Sequence, residues 1–164
     1  MNPNLYVPPG TPQAIYFGNA HWHRNTGAGG GPWVGADLEQ GMYYGGGDVT
    51  QNNPQSQPLT SEFVALTLKG RTDGFTLKGG DATKGTQATM YDGPRPDPKI
   101  AGTCHGGTYQ PMRKQGAIIL ATGGDNSNSA EGNFYEGIMA TGYATDATDA
   151  AVHANIVAVG YKSL

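Results

Sequence analysis

Apolar and polar residues alternate over short stretches separated by glycine- and proline-bearing turns, a pattern of strands rather than helices. Residues 13–17, rich in aromatic and β-branched side chains, predict a first strand. The stretch 31–41 predicts a second, and residues 42–44 its continuation or hairpin partner. Residues 63–68 and 74–78 flank the turn-forming Gly70, Arg71, Thr72 and Asp73, and together read as a hairpin. Further strands are expected at 87–91, at the wholly apolar 117–121, and at 133–140, where Phe134, Glu136 and Ile138 share one face.

The last segment changes period. Ala147, Ala150, Ala151, Ala154, Val157 and Val159 fall mostly three and four apart, which predicts one short helix over 146–159 with Asp146 or Thr148 as its N-cap. Between the elements, 48–61 is polar and proline-bearing and reads as a long surface loop that walls a cleft. A second long loop spans about 95–115, and residues 1–12, with four prolines and no periodicity, form an irregular lead-in to a domain over 13–164. No repeat of 20 to 50 residues and no heptad pattern is visible.

Composition sharpens this reading. A chain of 164 residues is one domain, long enough to bury roughly 70% of its unfolded surface. Gly 27 and Pro 11 punctuate it heavily, and charged residues make up 14%, against about 25% ordinarily. Both favour many short strands. The net charge of -3 lacks the basic footprint of a nucleic-acid binder, so DNA and RNA are not expected partners. Apolar runs are far too short for a membrane helix, and the start of the chain has neither the basic head nor the apolar core of a signal peptide. Cys104 is the single cysteine, which excludes an internal disulfide.

Candidate chemistry begins at Asp37 and Glu39. Two residues apart on a strand, they are expected on one face with Leu38 turned into the other layer, and like charges so placed repel unless a cation, a sugar or a reaction uses them. Alone, the pair also suits a charged edge strand that discourages aggregation. Asp125 follows the apolar 117–121 run in a Gly123-Gly124-Asp125-Asn126-Ser127 turn, which would deliver a carboxylate on a rigid support. Two acids on separate strands make a glycosidase possible. Other frames fail. Asp125, Ser127, Ser129 and Glu136 have the spacing of a calcium loop, but Ala130 replaces the required glycine and no helices flank it. His21, His23, Cys104 and His105 form no known zinc frame, the glycine-rich loop 27–31 lacks a phosphate-loop order, and no cofactor or metal is expected. Glycine in that loop lets the backbone turn tightly or approach a ligand. Trp22 suits a sugar-stacking platform, and Trp33 the core.

The words GPWVGADLEQG, LKGGDATKGTQATMYDGPRP, KQGAIILATGGDNSNSAEGNFYEGIMATGY and DATDAAVHANIVA, collinear from about residue 13 to 161, resemble the catalytic module of glycoside hydrolase family 54, the α-L-arabinofuranosidase B enzymes. The resemblance implies an all-β fold, an antiparallel two-sheet β-sandwich of jelly-roll or concanavalin-like kind, and the strands above fit it. It makes Glu39 the nucleophile and Asp125 the acid/base of a retaining α-L-arabinofuranosidase, with Asp37, Gln40, Gly124, Asn126 and Trp22 holding substrate. It implies an extracellular enzyme acting on arabinan or arabinoxylan, plant cell-wall polysaccharides, without cofactor. Against the family pattern, Gln40 stands in place of Asn and residues 100–106 read as an insertion. The module's first half, with its adjacent Cys-Cys pair, and the arabinose-binding trefoil have no counterpart here. A sandwich without its opening strands exposes unpaired edges, so the expectation is a truncated product that folds poorly or needs a partner. The alternative is a truncated, non-catalytic carbohydrate-binding or structural remnant, and a third reading is a metal-bearing lectin-like sandwich.

Overall fold

The computed structural model describes residues 14–19, 25–37, 42–46, 51–95 and 132–163. Two antiparallel three-stranded sheets form the scaffold: β1 (Ala14–Gly18), β2 (Trp33–Asp37) and β3 (Met42–Tyr43) in the order β1-β2-β3, then β4 (Val64–Arg71), β5 (Gly74–Asp81) and β6 (Ala88–Gly93) in the order β4-β5-β6. The helix α1 (Asp146–Val159) closes the described part of the fold.

The β4–β5 hairpin turns at Thr72 and Asp73, with Arg71 opposite Gly74 and Leu68 opposite Leu77. Alternation then divides its side chains. Leu66, Leu68, Phe75 and Leu77 take the inner face, and Lys69, Thr76 and Lys78 the outer one. On β6 the register slips by one residue, because Leu77 opposes Tyr91 while Lys78 already opposes Thr89. The extra residue is Met90, and this bulge lets the consecutive Met90 and Tyr91 both enter the core.

Val34 and Ala36 of β2 and Tyr43 of β3 meet that inner face, and the two sheets close as a β-sandwich. Tyr43, Phe75 and Tyr91 pack ring against ring at centroid distances of 5.8, 5.7 and 5.1 Å. Each buried side chain of this size stabilises the fold by about 1.5–3 kcal/mol. Trp33 is buried as expected, but on the far face of β2, edge-on to Tyr44 at 5.4 Å and beside Tyr16.

The polar stretch at 51–60 is more than a surface loop. Asn53 is buried and its amide donates to the carbonyls of Tyr44 and Met90, at 2.7 and 2.8 Å. Asn25, also buried, donates to the carbonyls of Gly45 and Gln51 and accepts from the Tyr44 amide. Two asparagine side chains thus stitch the loop to both sheets, satisfying main-chain groups that strand pairing leaves open.

Helix α1 begins and ends where the periodicity places it, but its cap differs. The N-cap is Thr145, whose hydroxyl accepts from the Thr148 amide, and Gly160 ends the helix in the left-handed conformation. Ala147, Ala150, Ala151 and Ala154 point to solvent. Asp149, Val152, His153, Ile156 and Val157 face the protein. The reason is electrostatic: Asp149 accepts from Lys69 and Lys78, both at 2.6 Å, on the outer face of the β4-β5-β6 sheet. An apolar count cannot see a packed face built on charge. Residues 133–140 also depart from expectation: they form no strand, since no described strand lies alongside to pair with them. The strand expected at 117–121 and the loop at 96–115 lie outside the described residues.

Candidate active site

Strand β2 is the element that leads into the acidic stretch of the sequence. Its main chain runs between β1 and β3, with Asp37 opposite Ala14 on one side and Met42 on the other. A central strand held by two ladders is rigid, and Glu39 follows its last residue by two positions, in the 38–41 connection to β3. Inward-facing Val34 and Ala36 lock the strand to the core.

The other face of β2 is shaped by glycine. A side chain at Gly35 would strike the Tyr44 ring at 2.8 Å, so the missing Cβ admits the tyrosine flat against the strand. Gly27 likewise admits Trp33, whose indole N–H donates to the Ala28 carbonyl at 2.6 Å. The glycine-rich loop therefore accommodates a tryptophan of the protein itself. Burial, then the neighbouring Tyr16, push the Tyr44 hydroxyl above the ordinary tyrosine pKa, keeping it neutral. Tyr16, Asn25 and Tyr44 brace the strand that leads to Glu39, a role sequence reasoning missed. Gly27 and Gly35, needed for close approach, were the available signal.

Of the expected site residues, Glu39, Asp125, Gln40, Gly124, Asn126 and Trp22 lie outside the described residues, and Asp37 is described as a main-chain position only. His21, His23, Cys104 and His105 lie outside as well. Glu136, weighed as a calcium-loop position, instead accepts from the Tyr161 hydroxyl at 2.8 Å. Among the described residues no group of three or more His, Cys, Asp or Glu side chains is placed to hold a metal ion.

Residues 7–162 match the family model described as alpha-L-arabinofuranosidase B, catalytic. The chain belongs to this family. It is 45% identical over 150 residues to an alpha-L-arabinofuranosidase of Hypocrea jecorina, covering 91% of this chain and 28% of the relative. A probable alpha-L-arabinofuranosidase B of Aspergillus fumigatus is 44% identical over 152 residues, covering 92% and 28%. Among solved structures, an arabinofuranosidase complexed with arabinofuranosyl-alpha-1,2-xylobiose superposes with a TM-score of 0.77 at 40% identity, over 94% of this chain and 30% of that one. A glycoside hydrolase family 54 α-L-arabinofuranosidase soaked with a cyclic sulfate inhibitor gives 0.79 at 40%, over 96% and 31%. The chain thus spans under a third of the length of these relatives, and corresponds to the C-terminal part of the catalytic module.

Proposed function

We propose that this arabinofuranosidase chain carries the two reacting carboxylates of a retaining α-L-arabinofuranosidase, with Glu39 as nucleophile and Asp125 as acid/base. The observation that carries the reading is the family match over residues 7–162, which contains both acidic words in one collinear segment. Asp125 protonates the glycosidic oxygen while Glu39 attacks the anomeric carbon, forming a glycosyl ester. Asp125 then removes a proton from water, which hydrolyses the ester and releases arabinose with its configuration retained. Retention needs the two carboxyl groups about 5 to 5.5 Å apart.

Asp37 and Gln40, beside the nucleophile, and Gly124 and Asn126, beside the acid, hold the sugar hydroxyls, and Trp22 stacks on the ring. Terminal non-reducing α-L-arabinofuranosyl groups of arabinan or arabinoxylan are the substrate, in keeping with the arabinofuranosyl-xylobiose bound by the solved relative. Such polymers are too large to enter a cell, so the site of action is extracellular.

The test is arabinose release from 4-nitrophenyl α-L-arabinofuranoside, with the product anomer followed by NMR. Glu39→Gln is expected to lower the rate about a thousandfold or more. Asp125→Asn slows turnover, and azide, which attacks the glycosyl ester without a general base, restores it. Unchanged turnover in Glu39→Gln would refute the assignment. A folded chain that releases no arabinose would favour the carbohydrate-binding remnant.

A further inference from the structure

Residues 38–41, which include Glu39, join β2 to β3, and the two strands meet with Asp37 opposite Met42. The two ends of this connection are held differently. β2 enters it from a ladder of five residue pairs with β1. β3 leaves it with two pairs to β2, Met42 with Asp37 and Tyr43 with Ala36. The chain then turns at Gly45 and Gly46, whose φ angles of 94° and 103° favour glycine, and a side chain at Gly45 would strike the Tyr91 ring. Two ladder pairs are a short hold for the far end of a connection that carries a reacting group.

Two side-chain amides take over where the β2–β3 ladder stops. Asn25 accepts from the Tyr44 amide at 2.6 Å and donates to the Gly45 carbonyl at 2.7 Å, and Asn53 donates to the Tyr44 carbonyl at 2.7 Å. Three main-chain groups just beyond β3 are thus held as a neighbouring strand would hold them. Both asparagines are buried, so water competes little for these bonds. Each is tied elsewhere as well: Asn25 to the Gln51 carbonyl at 2.6 Å, Asn53 to the Met90 carbonyl of β6 at 2.8 Å and, through its main-chain N–H, to the Thr26 carbonyl at 2.7 Å.

We propose that Asn25 and Asn53 are positioning residues for Glu39: by fixing the main chain of Tyr44 and Gly45, they set the outgoing end of the 38–41 connection and with it the stance of the carboxylate. The proposal rests on the assignment of Glu39 as nucleophile. Packing of the Tyr43 and Tyr44 rings is apolar and has no direction, so by itself it lets the main chain slide. Hydrogen bonds fix both distance and angle. That precision matters to a nucleophile, because a misplacement of about 1 Å costs about a hundredfold in rate.

The experiment measures turnover of 4-nitrophenyl α-L-arabinofuranoside and amide exchange on the same chain, for Asn25→Ser and Asn53→Ser. Leu68→Ala is the control, since it loses core packing on β4 and leaves both asparagines in place. Each serine variant is expected to lower kcat about tenfold or more with KM within about twofold. Exchange across 38–45 should rise about tenfold more than across β4 and β5. The control should show neither the selective rise nor, at a temperature where it is fully folded, the fall in kcat. A serine variant that fails to fold is replaced by its glutamine counterpart, which keeps the amide but lengthens its reach by one methylene. Unchanged kcat in a folded variant overturns the proposal, as does the absence of a selective rise in exchange. Glu39→Gln, run in parallel, keeps the two readings apart. Unchanged turnover there refutes the nucleophile, whereas lost turnover there with unchanged kcat in the asparagine variants refutes the positioning role alone. In a chain that turns over no substrate, exchange at 38–41 decides: a selective rise supports the anchor and its absence overturns it.

Discussion

The two faces of the β4-β5-β6 sheet are buried by opposite chemistry. Inside, Phe75, Leu77, Met90 and Tyr91 meet β2 and β3 with no charged group between them. Outside, α1 sits on Lys69 and Lys78, whose ammoniums share the Asp149 carboxylate and reach Asp146 at 3.4 and 2.6 Å. Tyr143 adds its ring over the Lys69 ammonium at 4.5 Å and a hydroxyl contact to Thr76 at 2.6 Å. The inner face tolerates imprecise geometry, because apolar burial has no direction. The outer face depends on its partners being in place, because two desolvated ammoniums share one buried carboxylate and otherwise have only the exposed Asp146 as counter-charge.

Substitutions separate the two. Phe75→Ala removes a fully buried ring touching Tyr43 and Tyr91, and is expected to cost about 3–5 kcal/mol in denaturant unfolding. Asp149→Ala should cost less, about 1.5–3 kcal/mol, because it removes the buried carboxylate the lysines share but leaves them Asp146, and Lys69 also the Ala144 carbonyl. The decisive contrast is the triple change of Lys69 and Lys78 to Met with Asp149 to Leu. It should restore most of that loss, whereas no second change on the inner face rescues Phe75→Ala. Failure of the rescue would show that the outer face depends on fit as the inner one does.

A smaller effect of opposite sign is expected at His153. It is 2% exposed on the packed face of α1, and among the described residues neither ring nitrogen has a hydrogen-bond partner. Burying an unsatisfied polar group costs about 1–3 kcal/mol, so His153→Leu should raise stability by about 1 kcal/mol. Thr145→Ala should lower it by about 1 kcal/mol through loss of the cap.

The last contrast is in pH. Hydrogen bonds from Lys78 and then Lys69 hold the Asp146 carboxyl below the ordinary aspartate range. Burial disfavours the charge on Lys78, but hydrogen bonds to Asp146 and then Asp149 outweigh it and carry its pKa above the ordinary lysine value. A depressed carboxyl contributes stability above its unfolded pKa and loses it as pH falls through the folded value. A raised ammonium contributes below its unfolded pKa and loses it as pH rises through the folded value. Helix docking, followed by far-ultraviolet circular dichroism, should therefore stay constant from about pH 5 to 9 and weaken only beyond the ordinary aspartate and lysine values. A transition near neutrality would break the account of the outer face.

Most of the sandwich was legible along the chain. The hairpin of β4 and β5, the short β1, β2 and β3, and the limits of α1 all follow from local alternation, turn residues and period. Local pattern failed where long-range partners decide. Residues 133–140 have the composition of a strand but no neighbour to pair with among the described residues, and the face by which α1 packs is set by an Asp that meets two lysines, which no apolar spacing reveals. Of the candidate site, the support was legible in part: a strand leads to Glu39, while the bracing by Asn25, Tyr16 and Tyr44 was not foreseen.

By itself, the sequence determined the six described strands, the helix and the family, because alternation, turn chemistry and long collinear words are properties of neighbouring residues. The tertiary structure alone decided which polar side chains would be buried. Asn25, Asn53, Lys69, Lys78 and Asp149 read as surface residues until distant partners satisfy them, and a polar group enters the interior only when a partner from elsewhere in the chain awaits it.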